Sequence, residues 1–475
     1  MFSDSPAMRV PFSDLQVFFE LAGAMVQTRA MLKEYSAYRS LPRQYRGSAC
    51  FTIAIIFLAI LCAPAIAAAG ETPPPGPLTL GYLLRAARAD NPEIRAVDEK
   101  YQAMRQRPSQ EGTLPDPSVG VRYHNEQFGR ITFGSSDFSY LEFSAEQEVP
   151  FPGKLGLKES IASREAERER AMRDSMILSV LARVVLAYTD LSVADRSTAI
   201  LDESADVLDT VIKQTAQAYS VGTAVQQDIL RATLERDALR ERIAMLALQR
   251  TTAEAEIDAL LNRQATEVLA KSAWIDKVSI LEPLDSLTRR LEAQAPELRA
   301  AEEDVLKTSD ALLLAKRGYL PDFTAMGAYA DKNGLYAEWE VGLRVTVPLY
   351  FWRKQRPAIA EAEYNRRAAE HARQNSRVTL ESRLRQAHAM AETSMRLINL
   401  YSENLIPEAS LTLKSARASY SVGKVDFLTT LNAFNALFEY RMRYTEQIGQ
   451  YRRAVAEIGP LVGEPPPELD QGASP

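Results

Sequence analysis

Cysteine and histidine are scarce in this chain, and their positions exclude more than their number does. The two cysteines, Cys50 and Cys62, both precede residue 70. The three histidines, His124, His371 and His388, are widely separated. Neither set has the spacing of a zinc site, and the chain beyond residue 69 can form no disulfide. Also missing are a G-x-S-x-G elbow, an H-E-x-x-H helix, a phosphate-binding P-loop and a glycine-rich dinucleotide turn. No catalytic constellation is left, so the expectation is a protein that is not an enzyme, with no cofactor and no metal site. Proline and glycine are absent from long stretches as well. From Lys154 to Leu261 there is no proline, and past Gly156 the only glycine is Gly222.

The most apolar run, Phe51 to Ala69, has a core from Phe51 to Leu61 that is too short to span a bilayer, which takes about 20 residues. Arg43 and Arg46 precede it and an Ala-rich tail follows. A basic flank, an apolar centre and a small-residue end read as a secretory signal. Residues 1–69 are therefore set aside as an N-terminal extension and signal peptide, with the true translation start open. Cys62 follows Leu61, where a lipidation motif wants a small residue, so lipidation also stays open. The net charge of −6 argues against a nucleic-acid surface.

Length alone suggests about three domains, but the motifs describe one body built twice. Asn91-Pro92-Glu93-Ile94-Arg95-Ala96 returns as Ala295-Pro296-Glu297-Leu298-Arg299-Ala300. Leu114-Pro115-Asp116 returns as Leu320-Pro321-Asp322, Val149-Pro150-Phe151 as Val347-Pro348-Leu349, and Tyr219-Ser220-Val221-Gly222 as Tyr420-Ser421-Val422-Gly423. The order is the same each time, so one half-chain is duplicated: a first repeat over 78–263, a second over 284–462, and a disordered tail from 463 to 475.

Within each half, two stretches alternate with period two, the mark of a strand with one apolar and one polar face. Val119, Val121 and Tyr123 alternate with Gly120, Arg122 and His124, and Leu141, Phe143 and Ala145 with Glu142, Ser144 and Glu146. In the second half Phe323, Ala325, Gly327 and Tyr329 are apolar or small at every second place, and Trp339, Val341, Leu343 and Val345 alternate with Glu340, Gly342, Arg344 and Thr346. Their lengths approach the roughly 9–11 residues of a tilted membrane strand. Arg122, Glu142, Glu340 and Arg344 are then candidates for a barrel lumen. A helix from about 157 to 218 would run roughly 95 Å at 1.5 Å per residue. Its apolar residues recur at threes and fours: Ile177, Leu181, Val184, Tyr188, Leu191. Phe427, Leu431, Phe434 and Phe438 repeat the pattern. This is a coiled-coil seam. Four strands cannot close on themselves in lipid, where every backbone polar group needs a partner, so several copies must pool their strands.

This order of N-P-E, L-P-D, V-P-F-P-G-K and Y-S-V-G resembles the TolC family of outer-membrane efflux proteins, over about residues 78–462. The resemblance implies an α+β membrane protein and a homotrimer. Its three chains share a twelve-stranded β-barrel in the outer-membrane lipid of a Gram-negative bacterium, with a twelve-helix periplasmic tunnel. It implies two partners: a periplasmic adaptor and an inner-membrane transporter of the RND or ABC type. The channel itself would be a passive duct. It carries an adaptor-docking role to Tyr219, Val221, Gly222 and Thr223, and to Tyr420, Val422, Gly423 and Lys424. The family's acidic ring at the inner mouth would fall on Thr429 and Asn432, neither of which is acidic. Asp426 and Asp228 lie nearby, and all four are constriction candidates. Pro407 should break the second long helix where its counterpart Asp206 does not. V-P-F-P-G-K looks most like the heavy-metal branch. The cargo stays open among metals, drugs and, as the exit duct of a type I secretion system, proteins. A periplasmic coiled-coil structural protein is the remaining alternative.

Overall fold

In the computed structural model, two very long helices carry most of the packing, and what stops each of them is local. The structure describes residues 78–466, apart from 127, 223, 265–268, 275, 277, 279 and 335. The expected signal segment with both cysteines, Thr223 and residues 467–475 lie outside the described residues.

Helices α1 (Leu80–Asp90), α2 (Pro92–Met104) and α3 (Arg107–Gly112) lead into strands β1 (Ser118–His124) and β2 (Tyr140–Val149). Helices α4 (Lys154–Ser220) and α5 (Gln226–Leu260) follow. The order then recurs with α6 (Leu284–Gln294), α7 (Pro296–Arg317), β3 (Asp322–Asp331), β4 (Glu338–Thr346) and α8 (Gln355–Leu400). A π turn (Tyr401–Leu405), α9 (Ile406–Ser421) and α10 (Phe427–Val462) complete it.

The N-P-E opening starts a helix for a definite reason. Asn91 is 2% exposed, and its side-chain oxygen accepts from the Ile94 N–H at 3.1 Å while its amide donates to the Leu260 carbonyl at 2.8 Å. One residue thus caps α2 and ties it to the end of α5. Pro92 occupies the first helical position, where no amide hydrogen is needed. In the first half the helix is interrupted after Met104 and resumes with Pro108 in the opening turn of α3, whereas α7 has no internal proline and runs unbroken. Proline cannot donate to the carbonyl four residues back, which accounts for the difference.

Helix α4 has 67 residues and spans about 100 Å at 1.5 Å per residue. It contains the most apolar helical stretch among the described residues, and two-thirds of that window is buried inside the protein. Val180, Leu181, Val184, Tyr188 and Leu191 pack with Leu80, Leu83 and Ile257 from α1 and α5. The Tyr188 hydroxyl donates within 3.0 Å of the Leu78 carbonyl and 3.2 Å of that of Ala273. Nearer the strands the contacts of α4 become charged: Arg168 with Asp304 at 2.8 Å, Arg107 with Glu165 at 2.9 Å, Arg173 with Asp98 at 2.7 Å. Burial works to raise the Asp304 carboxyl, but Lys307 and Arg168 together hold it below the usual range. Such half-exposed pairs each contribute little, so the apolar middle carries the stability.

The expected break at Pro407 takes a milder form. The chain stays helical from Gln355 to Ser421, and the π turn Tyr401–Leu405 widens it just ahead of the proline. There the Ile406 N–H bonds back to the Tyr401 carbonyl, five residues away. The wider turn makes room for the proline ring and absorbs the missing donor without a fracture. The first residues of the expected tail are held in place. Gly463 turns out of α10 at φ +80°, and Glu464 accepts from Arg290 at 2.8 Å.

Candidate functional site

The four strands form one antiparallel sheet in the order β1-β2-β3-β4. The register aligns the alternation across all of them. Val121 faces Phe143, Phe143 faces Tyr329, and Tyr329 faces Trp339. The next row is Val119, Ala145, Gly327, Val341. This apolar face is bare: Trp339 is 78% and Val341 75% exposed. The other face gathers the four lumen candidates. Arg122 lies opposite Glu142 and pairs with it at 3.3 Å, and Arg344 reaches Glu146 at 3.5 Å. Glu340 sits opposite Ala328, in the row of Ser144 and Gly120. A soluble protein would bury the face that this sheet exposes.

Aromatic side chains flank the exposed rows. At the helix end of the sheet, Tyr350, Phe351 and Trp352 are exposed and pack edge-on, with Phe351 and Trp352 centroids 5.1 Å apart. At the far end, Phe128, Phe138 and Tyr336 are exposed. Two aromatic bands around an apolar one are the pattern of a strand sheet in lipid. The Leu-Tyr-Phe-Trp run from Leu349 to Trp352 is the signal that sequence reasoning passed over.

The junction between strands and helices is built from the motifs. The Lys154 ammonium donates to the Leu320 carbonyl and to Asp322 Oδ1, both at 2.8 Å. The Phe151 N–H donates to the same carboxylate at 2.8 Å. Gly153 has φ +86°, and a Cβ there would lie 1.7 Å from an Arg317 nitrogen. That arginine donates to the Pro152 carbonyl at 2.8 Å. V-P-F-P-G-K and L-P-D are thus two sides of one contact.

At the opposite end of α4 lie the two Y-S-V-G turns. Gly222 has φ +75° and Gly423 φ +72°, and a Cβ added at either meets nothing within 4 Å. The glycines are needed for the backbone angle, not for space. The Gly423 N–H donates to the Tyr420 carbonyl at 3.0 Å and the Lys424 N–H to that of Ser419 at 2.9 Å, closing the helix end. The Gly222 N–H repeats the first of these bonds to Tyr219 at 3.0 Å. Tyr219, Val221 and Val422 are exposed, and the half-buried Tyr420 ring meets Phe427 edge-on at 6.0 Å. Phe427, Leu431 and Phe438 pack with Leu201, Leu208, Ala232 and Leu239, which joins the two helix pairs near their tips.

Asp426 caps α10, accepting from the Thr429 N–H at 3.0 Å and from the Thr429 hydroxyl. Those two bonds, the hydroxyl first, hold its carboxyl below the usual range. Thr429 and Asn432 are exposed one turn apart on α10, and Asp228 is half-buried in the first turn of α5. Among the described residues no group of His, Cys, Asp and Glu side chains could hold a metal ion.

The family model described as outer membrane efflux protein matches residues 83–263 and 287–464. The chain belongs to that family. Over 394 residues this efflux protein is 22% identical to the cobalt-zinc-cadmium resistance protein CzcC of Cupriavidus metallidurans, covering 82% of this chain and 90% of the relative. It is 25% identical over 258 residues to the multidrug resistance outer membrane protein MdtQ of Escherichia coli, about half of each chain. A solved structure of the transmembrane channel CusC superposes with a TM-score of 0.71 at 15% identity, covering 81% of this chain and 92% of the other. The protein is thus an outer-membrane efflux channel of the tripartite type, with its strands in the membrane and its helices in the periplasm. The family is one of ducts, not of enzymes.

Proposed function

We propose that three copies of this chain form one pore, each giving four strands to a twelve-stranded barrel and its long helices to a tunnel. One observation carries the reading: a four-stranded sheet with a continuous bare apolar face and two outer edges that are unpaired among the described residues. Such edges leave backbone donors and acceptors without partners in lipid, at several kcal/mol per group. Closure with other copies removes that cost. The two halves, 78–263 and 284–462, act as repeats of one unit. Arg122, Glu142, Glu340 and Arg344 face the lumen. On their face Glu142, Glu146, Glu148, Glu338 and Glu340 outnumber Arg122 and Arg344, which favours cations.

At the tips, Tyr219, Val221, Gly222, Thr223, Tyr420, Val422, Gly423 and Lys424 meet a periplasmic adaptor, which links the duct to an inner-membrane pump. Asp426, Thr429, Asn432 and Asp228 line the narrow end. Asp426 does two things there, as helix cap and as charge. Asp426→Asn keeps an acceptor for the Thr429 N–H and removes the charge, whereas Asp426→Ala removes both. Asn is expected to lower cation conductance with unchanged thermal stability, and Ala to lower both. Equal conductance in all three, measured in planar bilayers, would remove Asp426 from the constriction.

The cargo is metal cations, a reading supported by the CzcC likeness over most of both chains, against half-coverage for MdtQ. Deleting the chain is expected to lower tolerance of cobalt, zinc and cadmium salts and to leave antibiotic tolerance unchanged. The reverse pattern would reassign the cargo to drugs.

A further inference from the structure

The junction between the two halves has a counterpart with one side missing. Lys154, at the start of α4, reaches Asp322 of the second L-P-D within the chain. The lysine just ahead of the other long helix is Lys354, two residues beyond the place that the Val-Pro offset gives for Lys154, and the aspartate of the first L-P-D is Asp116. Both side chains are exposed, and neither has a hydrogen-bond or ion-pair partner among the described residues. They sit at the two free ends of the sheet, Asp116 just before β1 and Lys354 after β4. Their surroundings are complementary in charge: Glu111 is exposed near the first, Arg353 and Arg356 beside the second.

The strand register transfers between the halves. Carrying β1 to β3 by the L-P-D motifs and β2 to β4 by the Val-Pro motifs turns the pair Val121–Phe143 into Gly327–Val341 and Ser118–Glu146 into Thr324–Arg344. Both derived pairs are observed. The same transfer applied to the β2–β3 pairing has no partner within the chain, because it sets β4 against a β1 that must come from elsewhere.

We infer that a second copy of this chain completes the junction, its β1 pairing antiparallel with β4 so that Val121 lies opposite Leu343 and its Asp116 receives Lys354. The inference rests on the trimer reading. In this register Val345 meets Val119, Leu343 meets Val121 and Val341 meets Tyr123, apolar against apolar. On the other face Glu340 meets His124 and Arg344 meets Gly120. A slip of one residue would set Val341 against Arg122 and lose every such match. The ammonium–carboxylate contact then fixes the register at the helix end of the seam, as Lys154 does inside the chain. Four residues, Tyr350, Phe351, Trp352 and Arg353, stand in this turn where the other has Pro152 and Gly153, and the three aromatic rings cover the seam from the lipid side.

The test uses the full chain in the outer membrane. Opposed strand residues approach within the roughly 4.4–6.8 Å that a disulfide spans between Cα atoms. Val121→Cys combined with Leu343→Cys is expected to give covalent dimers and trimers on oxidation that collapse under reductant. Each single variant should stay monomeric on denaturing gels, which controls for Cys50 and Cys62. Equal cross-linking from the offset pair Val119→Cys with Leu343→Cys would overturn the register. So would no cross-linking, provided an amine-reactive reagent still captures trimers of the unmodified chain. If that reagent captures only monomers, the trimer reading itself falls. For the charged contact, Asp116→Lys and Lys354→Asp should each lower the temperature at which trimers dissociate in detergent, and the double exchange should restore it. A double variant no better than the worse single one would overturn the pairing of these two residues.

Discussion

Replacing Gly222 and Gly423 together with valine is expected to abolish efflux while assembly in the outer membrane is unchanged. Both glycines hold positive φ angles at the ends of the long helices, far from the strands. An L-residue in that region costs about 1–2 kcal/mol, and a β-branched side chain fits it worst. Open space around each position means the added atoms clash with nothing distant. The strain is therefore relieved locally, by unwinding the last turn and turning Tyr219, Val221 and Val422 away from their present positions. The apolar cluster of Phe427, Leu431, Leu208 and Leu239 lies behind the turns and still packs. Asparagine, which enters this region readily, should leave efflux nearly intact at both positions. Tolerance of a toxic cargo reads the function, and heat-resistant oligomers in detergent read assembly. Full tolerance with valine would exclude docking at the tips. A similar loss with asparagine would show that the side chain, not the backbone angle, is what matters there.

The second large effect is expected from two neighbouring residues of β4 that face opposite ways. Val341→Arg places a charge near the middle of the bare apolar face, where a barrel strand bears about 2–4 kcal/mol for arginine at the bilayer midplane. In the proposed trimer, three copies multiply this to roughly 6–12 kcal/mol per pore, comparable to the whole stability of a typical domain. The variant should fail to assemble in the outer membrane. Glu340→Arg introduces the same side chain one residue away, among Ala328, Ser144 and Gly120 on the polar face. It should assemble normally and weaken cation preference in single-channel recordings. Normal assembly of Val341→Arg would exclude lipid from that face. Failure of Glu340→Arg would exclude water from the other.

Much of this protein was legible in its residues because the relevant signals are local. Period-two alternation identified all four strands, since side chains of a strand point to opposite faces whatever lies beyond. The lack of proline over α4 allowed a helix of full length, and its threefold and fourfold apolar spacing marked Leu181, Val184, Tyr188 and Leu191 as buried. Repeated Y-S-V-G located both reversals, because only glycine turns a helix at positive φ without cost. Alternation alone also separated Arg122, Glu142, Glu340 and Arg344 from the apolar face of the sheet.

Contacts between segments far apart in the chain were not legible. L-P-D and V-P-F-P-G-K read as punctuation, and only the folded chain brings Lys154 to Asp322 and Arg317 to Pro152. Asn91 read as part of an opening motif, yet it also holds the last turn of α5. Pro407 predicted a break, and the structure answered with a π turn, because packing on both sides keeps the helix running and one wider turn accommodates the ring. Asp426 read as a stray acid near the pore, and its bonds to Thr429 make it a helix cap. The elements, their faces and their ends can be read from the residues, since these depend on neighbours within a few places along the chain. Which ends meet emerges only on folding, because that depends on the register of strands and the packing of helices hundreds of residues apart in the chain.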